Sequence, residues 1–107
     1  MIAETPQPPY YAVIFTSIKN EAAEEGYETT SNLMVTLAQH QPGYLGHEAA
    51  RNEVGITVSY WQSLDAIKQW KQQTDHAIAQ PRGRKKWYKS YKVRICLVKR
   101  DYCFEGL

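Results

Sequence analysis

The stretch "SYWQSLDAIKQWKQQTDHAIAQPRGRKKWYKSYKVRI" (Ser59–Ile95) holds all three tryptophans of the chain, one of its three histidines and most of its positive charge. These residue types can do chemistry. Histidine moves protons near neutral pH. Indoles wall pockets and stack on flat ligands. Basic residues interleaved with aromatics bind single-stranded nucleic acid. His76 is the candidate acid/base. It follows Trp70 by six residues, about 240° around a helix at roughly 100° per residue, so the two do not share a stripe. His76 falls instead with Gln69, Gln72 and Gln73. The plainer reading is a helix-end histidine favoured by the dipole. No metal ligand stands three or four residues on, so a metal site is not expected.

Trp61, Trp70, Trp87 and Tyr60 are the candidate pocket walls. Trp70 lies on an apolar helical stripe and also reads as core. Trp61 ends a strand, and Trp87 precedes one, where aromatics also serve as dimer anchors. Strand alternation sends His47 and Glu48 to opposite faces. Glu48 and Arg94 form a candidate pair, either structural or ligand-orienting, because buried charges are normally paired.

The 107 residues, 43% apolar and 22% charged, fit one ordinary globular domain. No apolar run approaches the roughly 20 residues of a membrane span. Met1–Pro9 lacks an apolar signal segment, which leaves the cytoplasm as the expected compartment. Cys96 and Cys103 form no CxxC and are expected as free thiols there. Net charge is only +2, yet Arg82, Arg84, Lys85, Lys86, Lys89, Lys92 and Arg94 follow one another with no acid between them. Such a run solubilises a surface or contacts phosphates.

Residues 1–9, with Pro6, Pro8 and Pro9, read as an extended, loosely held tail, and residues 10–107 as a single domain. Tyr10–Ile18 is β-branched and aromatic, a buried strand. A helix is expected from Tyr27, closed by Pro42-Gly43. Tyr44–Arg51 and Ile56–Trp61 form a hairpin across "NEVG". Ser63 caps a second helix with Asp65 in its first turn, and Ile67, Trp70 and Thr74 face inward. Helical content is expected to continue through "RGRKKWYKSY", and Tyr91–Tyr102 alternates as a last strand. The order β-α-β-β-α-β is the ferredoxin-like α+β arrangement, a four-stranded antiparallel sheet with both helices on one face. The strands are apolar on both parities, so the helix-free face needs a cover, and a homodimer supplies it. RNA-binding domains share this topology, but the aromatic strand signature they use is absent, which leaves nucleic acid a distant third reading.

The segments "PGYLGHEAAR", "GITVSYWQSLDAIKQW", "KQQTDHAIAQ" and "GRKKWY" resemble those of antibiotic-biosynthesis-monooxygenase-type domains of the dimeric α/β-barrel superfamily, over roughly Tyr10 to Tyr102. The resemblance implies cofactor-independent oxygen chemistry on a small aromatic or quinol-type substrate, deprotonated in a dry pocket before it meets O₂. Haem-degrading relatives use an Asn on the first strand, a Trp, and a His late in the second helix. Here Trp70 matches the tryptophan. The first strand has no asparagine, Gln80 stands where the histidine belongs, and His76 comes a turn early. No haem, flavin or metal is therefore expected. The superfamily holds many activities, and the second reading is a non-catalytic dimeric barrel that binds a small hydrophobic molecule.

Overall fold

The computed structural model describes residues 1–20, 34–78 and 88–106, with side chains in the second helix up to residue 74. Its strands are β1 (Tyr10–Lys19), β2 (Tyr44–Arg51), β3 (Gly55–Trp61) and β4 (Tyr88–Val98). Helical segments cover residues 34–39 (α1) and Leu64–Ile78 (α2). The sheet runs β2-β3-β1-β4 with every neighbouring pair antiparallel. This is the ferredoxin-like α+β arrangement. Residues 21–33, where the first helix was expected to begin, lie outside the described residues.

Each element follows from local chemistry. β1 is the β-branched and aromatic run "YYAVIFTSIK" and takes the central position between β3 and β4. The helix α2 starts where Ser63 Oγ accepts the Ala66 N–H at 3.1 Å, with Asp65 in the first turn. Gly43 turns the chain between α1 and β2 with φ +88, and a Cβ there would come 2.7 Å from that of Ala66. Only glycine meets both demands.

Two expectations at β4 need correction. "YKSY" is strand, not helix, because Tyr88, Ser90 and Tyr91 pair with Lys19, Ile18 and Ser17 of β1. The strand then stops at Val98 rather than Tyr102. Val98 pairs with Tyr10, the first residue of β1, and the partner strand goes no further. The N-terminal tail also differs from expectation. It is held, with Ala3 N–H donating to Glu48 Oε2 at 2.8 Å and Thr5 Oγ1 donating to the Tyr10 hydroxyl at 3.0 Å.

The register sorts the sheet residues into two sets. Tyr11, Val13, Phe15 and Ser17 of β1 share a face with Trp61, Ser59, Thr57 and Gly55 of β3. This is the helix-bearing face. Its core joins Val13 and Trp61 to Ala38 of α1 and to Ala66 and Ile67 of α2. Trp61 is fully buried, and its indole N–H donates to Ser59 Oγ at 2.9 Å. Tyr44 meets it edge-on at 5.6 Å, and Trp70 lies against it at 5.1 Å. Tyr60, Val58, Ile56, Ala12, Ile14 and Arg94 belong to the opposite, helix-free face.

Trp61, expected on a pocket wall, is the centre of the core, and Trp70 is only half-buried beside it. Trp61→Ala should therefore cost about 3–5 kcal/mol of unfolding free energy, the range for a large aromatic deleted from a core. Trp70→Ala should cost less. Urea unfolding of the two variants checks the order.

Candidate active site

Between the helix-bearing face and the helices lies a cavity of about 760 Å³. Ile67, Trp70, Lys71 and Thr74 border it from α2, one face at helical spacing. Met34, Val35 and Ala38 border it from α1, and Val13, Phe15, Val93 and Ile95 from the sheet floor. Polar groups converge from the strands: Tyr44, His47 and Arg51 of β2, and Thr57 and Ser59 of β3. A largely apolar hollow with a few placed polar groups is how small-molecule sites are built.

Tyr44 and His47 are neighbours because β2 carries a bulge. Tyr44 stands opposite Trp61 and Gly46 opposite Tyr60, so Leu45 is one residue extra. Gly46 takes φ +148, which glycine adopts without a steric penalty. Without the bulge, residues three apart would face opposite ways. With it, both side chains point to the cavity, and the Tyr44 hydroxyl and His47 Nδ1 share a hydrogen bond. Burial pushes the Tyr44 phenol above its ordinary value and keeps it as a hydroxyl. Arg51 donates through Nη2 to Ser17 Oγ in the floor of the same face. The Trp70 Nε1–H is buried without a hydrogen-bond partner.

Of the residues expected in the pocket, Trp70 borders it and faces inward with Ile67 and Thr74. Lys71 is exposed at its rim. Trp61 is packed away beneath it. Tyr60, Glu48 and Arg94 sit on the helix-free face and do not border it. Glu48 and Arg94 do not pair either. They belong to one transverse row, Glu48–Val58–Ile14–Arg94, at opposite edges of the sheet, three strand spacings or roughly 14 Å apart. Trp87 and the His76 side chain lie outside the described residues, as do Gln80 and Arg82–Lys86. The glutamines that share the His76 stripe, Gln69, Gln72 and Gln73, are exposed and border a separate shallow depression with Gln41. Regular strand alternation does not mark His47 and Tyr44 as a pair. The one signal for them was a glycine inside a strand, which often marks a bulge.

Behind the sheet, Glu48 accepts from the Tyr60 hydroxyl at 2.6 Å and from Ala3 N–H. Tyr10 donates to Asp101 Oδ2 at 2.5 Å and packs edge-on to Tyr60. The hydroxyls of both tyrosines are therefore engaged behind the sheet. Among the described residues, no group of three His, Cys, Asp or Glu is placed to hold a metal, and no helix is long and apolar enough to cross a membrane. Cys96 and Cys103 are free thiols.

The profile of the family described as "Antibiotic biosynthesis monooxygenase" matches residues 9–82. The chain belongs to the antibiotic biosynthesis monooxygenase family. A Bacillus subtilis relative, "Uncharacterized protein YqjZ", is 50% identical over 106 residues, spanning 97% of this chain and 92% of its own. Solved structures agree on the fold. PA3566 from Pseudomonas aeruginosa superposes with a TM-score of 0.68 at 17% identity, over 91% of this chain and 99% of that one. SnoaB, a cofactor-independent oxygenase from Streptomyces nogalater, superposes with 0.66 at 14% identity, over 92% of this chain and all of that one (100%). At such identities these two structures show a shared fold.

The hydrogen bonds from Tyr60 and Ala3 hold the Glu48 carboxyl below its usual 4.5, against an opposing effect of burial. Burial and the bond to Glu48 push Tyr60 up to about 12. A lowered carboxyl stabilises fully above its unfolded value and loses that contribution as pH falls through the folded one. A raised phenol stabilises fully below its unfolded value of 10 and loses it as pH climbs through about 12. Glu48→Gln should therefore flatten the fall in stability below pH 4.5, as read from urea midpoints taken at neutral pH and across the acid range.

Proposed function

We propose that this protein is a cofactor-independent, monooxygenase-like enzyme acting on a small aromatic or quinol-type substrate. The observation that carries this reading is the cavity of about 760 Å³, an apolar hollow into which Tyr44, His47, Thr57 and Ser59 converge. Membership of the family supports it, as does the fold shared with an oxygenase that needs no cofactor. Trp70 borders the hollow rather than filling it, which leaves room for a flat ring system.

In the proposed reaction an activated ring CH₂ or phenol first loses a proton to the protein. For an anthrone-type CH₂, the carbanion combines with O₂ to give a peroxide, which takes a proton and then loses water. The ring carbon is oxidised to a carbonyl, and O₂ is reduced to the carbonyl oxygen and water. The protein contributes a proton acceptor, an orienting wall and exclusion of bulk water. The hydroxyls of Thr57 and Ser59 are donors suited to substrate oxygens. The cytoplasm, where Cys96 and Cys103 stay reduced, suits such an enzyme.

Oxygen-electrode assays across quinols, anthrones and flavonoids test the reading. Uptake of one O₂ per substrate consumed by an anthrone is expected. Saturable binding, read from tryptophan fluorescence, with no uptake on any member of the panel would instead favour a non-catalytic binding barrel.

The protein is proposed to act as a homodimer through the helix-free face. Ile18 and Ile56 there are 42% and 45% exposed, beside Ile14 and Val58. A stable interface on this face should exceed about 1,000 Å² in total. Sedimentation at micromolar concentration should give the dimer mass, and a monomer would remove this part of the proposal.

A further inference from the structure

We infer that His47, positioned by Tyr44, is the proton acceptor of the cavity. The inference deepens the proposed function and rests on its reading of the cavity as the place where an acidic aromatic ligand sits. The chemical group it would serve is a phenolic O–H or an activated C–H of a flat ring.

The placement is built. His47 reaches the cavity side with Tyr44 only because Leu45 is accommodated as an extra residue and Gly46 takes φ +148. Both side chains then stand on a strand, next to a wholly buried tryptophan that Tyr44 meets edge-on. Sites on strands hold geometry better than sites on loops. The hydrogen bond with Tyr44 uses Nδ1, so the nitrogen left for a ligand is Nε2. The proposed role takes the tautomer in which Nδ1–H donates to the Tyr44 oxygen, which leaves the lone pair on Nε2. The Tyr44 group stays a neutral hydroxyl because it is buried, and its oxygen remains an acceptor for Nδ1–H when the imidazolium forms. That is the arrangement of a base oriented by a third group.

Elimination points to the same residue. The described cavity-lining residues include no Asp or Glu. Arg51 and Lys71 offer hydrogen-bond donors and no acceptor, and Tyr88, Tyr91, Thr57 and Ser59 offer hydroxyls. Glu48 follows His47 in the chain but faces the other side of the sheet, bonded to Tyr60. Imidazole is the side chain in this set that accepts a proton near neutral pH.

The step is simple. The ligand O–H or C–H bond breaks heterolytically, the electron pair stays on the ligand, and the proton goes to Nε2. In turnover the same proton passes to the peroxide anion. His47 is then the catalytic residue and Tyr44 a positioning residue.

The test separates this step from oxygen chemistry. The probe is 4-nitro-1-naphthol, a phenol whose anion absorbs at its own visible wavelength. Bound to the wild-type protein it should ionise at lower pH than in free solution. His47→Asn keeps an amide where Nδ1 stood and removes Nε2. It should bind the probe but lose the shift, and with an anthrone it should slow O₂ uptake by about 10²–10⁴-fold, the usual range for a lost general base. Tyr44→Phe should move the midpoint of the pH–rate profile and lose only part of the rate. Circular dichroism and urea midpoints confirm that both variants fold. A folded His47→Asn protein with the wild-type probe spectrum and pH profile overturns the inference, as does a wild type that neither binds nor ionises the probe. A wild type that ionises the probe through His47 but consumes no O₂ with any substrate leaves the acceptor standing and overturns the monooxygenase reading alone.

Discussion

The buried indole of Trp61 is the contact on which the rest depends. It closes the end of β3, faces Tyr11 of β1 and Tyr44 of β2, and takes Trp70 of α2 on its other side. A side chain of this size removes on the order of 150–250 Å² from water. Its N–H must find an acceptor there, since an orphaned donor costs about 1–3 kcal/mol. Ser59, two residues earlier on the same face, provides one. The pair fixes how close α2 can come to the sheet, and Gly43 lets Ala66 settle beside it. Where the packing around Trp61 ends, the cavity begins.

The cavity exists because the helix-bearing face is unevenly filled. Trp61, Ala66 and Ile67 occupy one end. Toward the other end, the floor passes to Phe15, Val93 and Ile95, and among the described residues no helix side chain reaches down to fill that space. Val93 and Ile95 remain 47% and 54% exposed. Polar groups enter the cavity from β2 and β3 and, as the hydroxyls of Tyr88 and Tyr91, from β4, while Val93 and Ile95 keep the middle of β4 apolar. Electrostatics divides along the sheet in the same way. The hydrogen-bonded pair, Glu48 and Tyr60, ties down the N-terminal tail on the reverse side. It stabilises the fold without touching the cavity.

How much of this was legible depends on which physical signal each feature writes into the chain. Period-two alternation and the Gly-bearing turn gave β2 and β3 nearly to the residue, and Ser63 with Asp65 marked the start of α2. The inward face of α2 was readable because Ile67, Trp70 and Thr74 recur at helical spacing. Three things were not readable. Both parities of the strands are apolar, so alternation does not say which one meets the helices, and Tyr60, Glu48 and Arg94 fall on the helix-free side. The order of strands puts β2 and β4 at opposite edges, a non-local fact that no local pattern encodes, so the Glu48–Arg94 pair was plausible only in one dimension. And the bulge at Leu45 shifts the phase of β2 by one residue, which conceals the Tyr44–His47 contact from any count that assumes regular pleating.

That phase shift has a consequence for how the two faces coexist. A regular strand would send Tyr44 to one face and His47 to the other. The first would keep its place on Trp61, and the second would join the apolar helix-free face, where an imidazole needs a partner or water. The extra residue resolves both demands at once. It keeps Tyr44 against the core, turns His47 toward the cavity, and leaves Glu48 behind the sheet to take its hydrogen bonds from Tyr60 and Ala3. Three polar requirements, at Tyr44, His47 and Glu48, are met by one irregularity, and its location is set by the glycine at 46. A side chain there would meet a positive φ and, at 3.1 Å, the Cβ of Ala3 in the tail that covers it. The tail, the bulge and the histidine are thus one mechanical unit, and the chemistry proposed for the cavity depends on a glycine whose own backbone faces the other way.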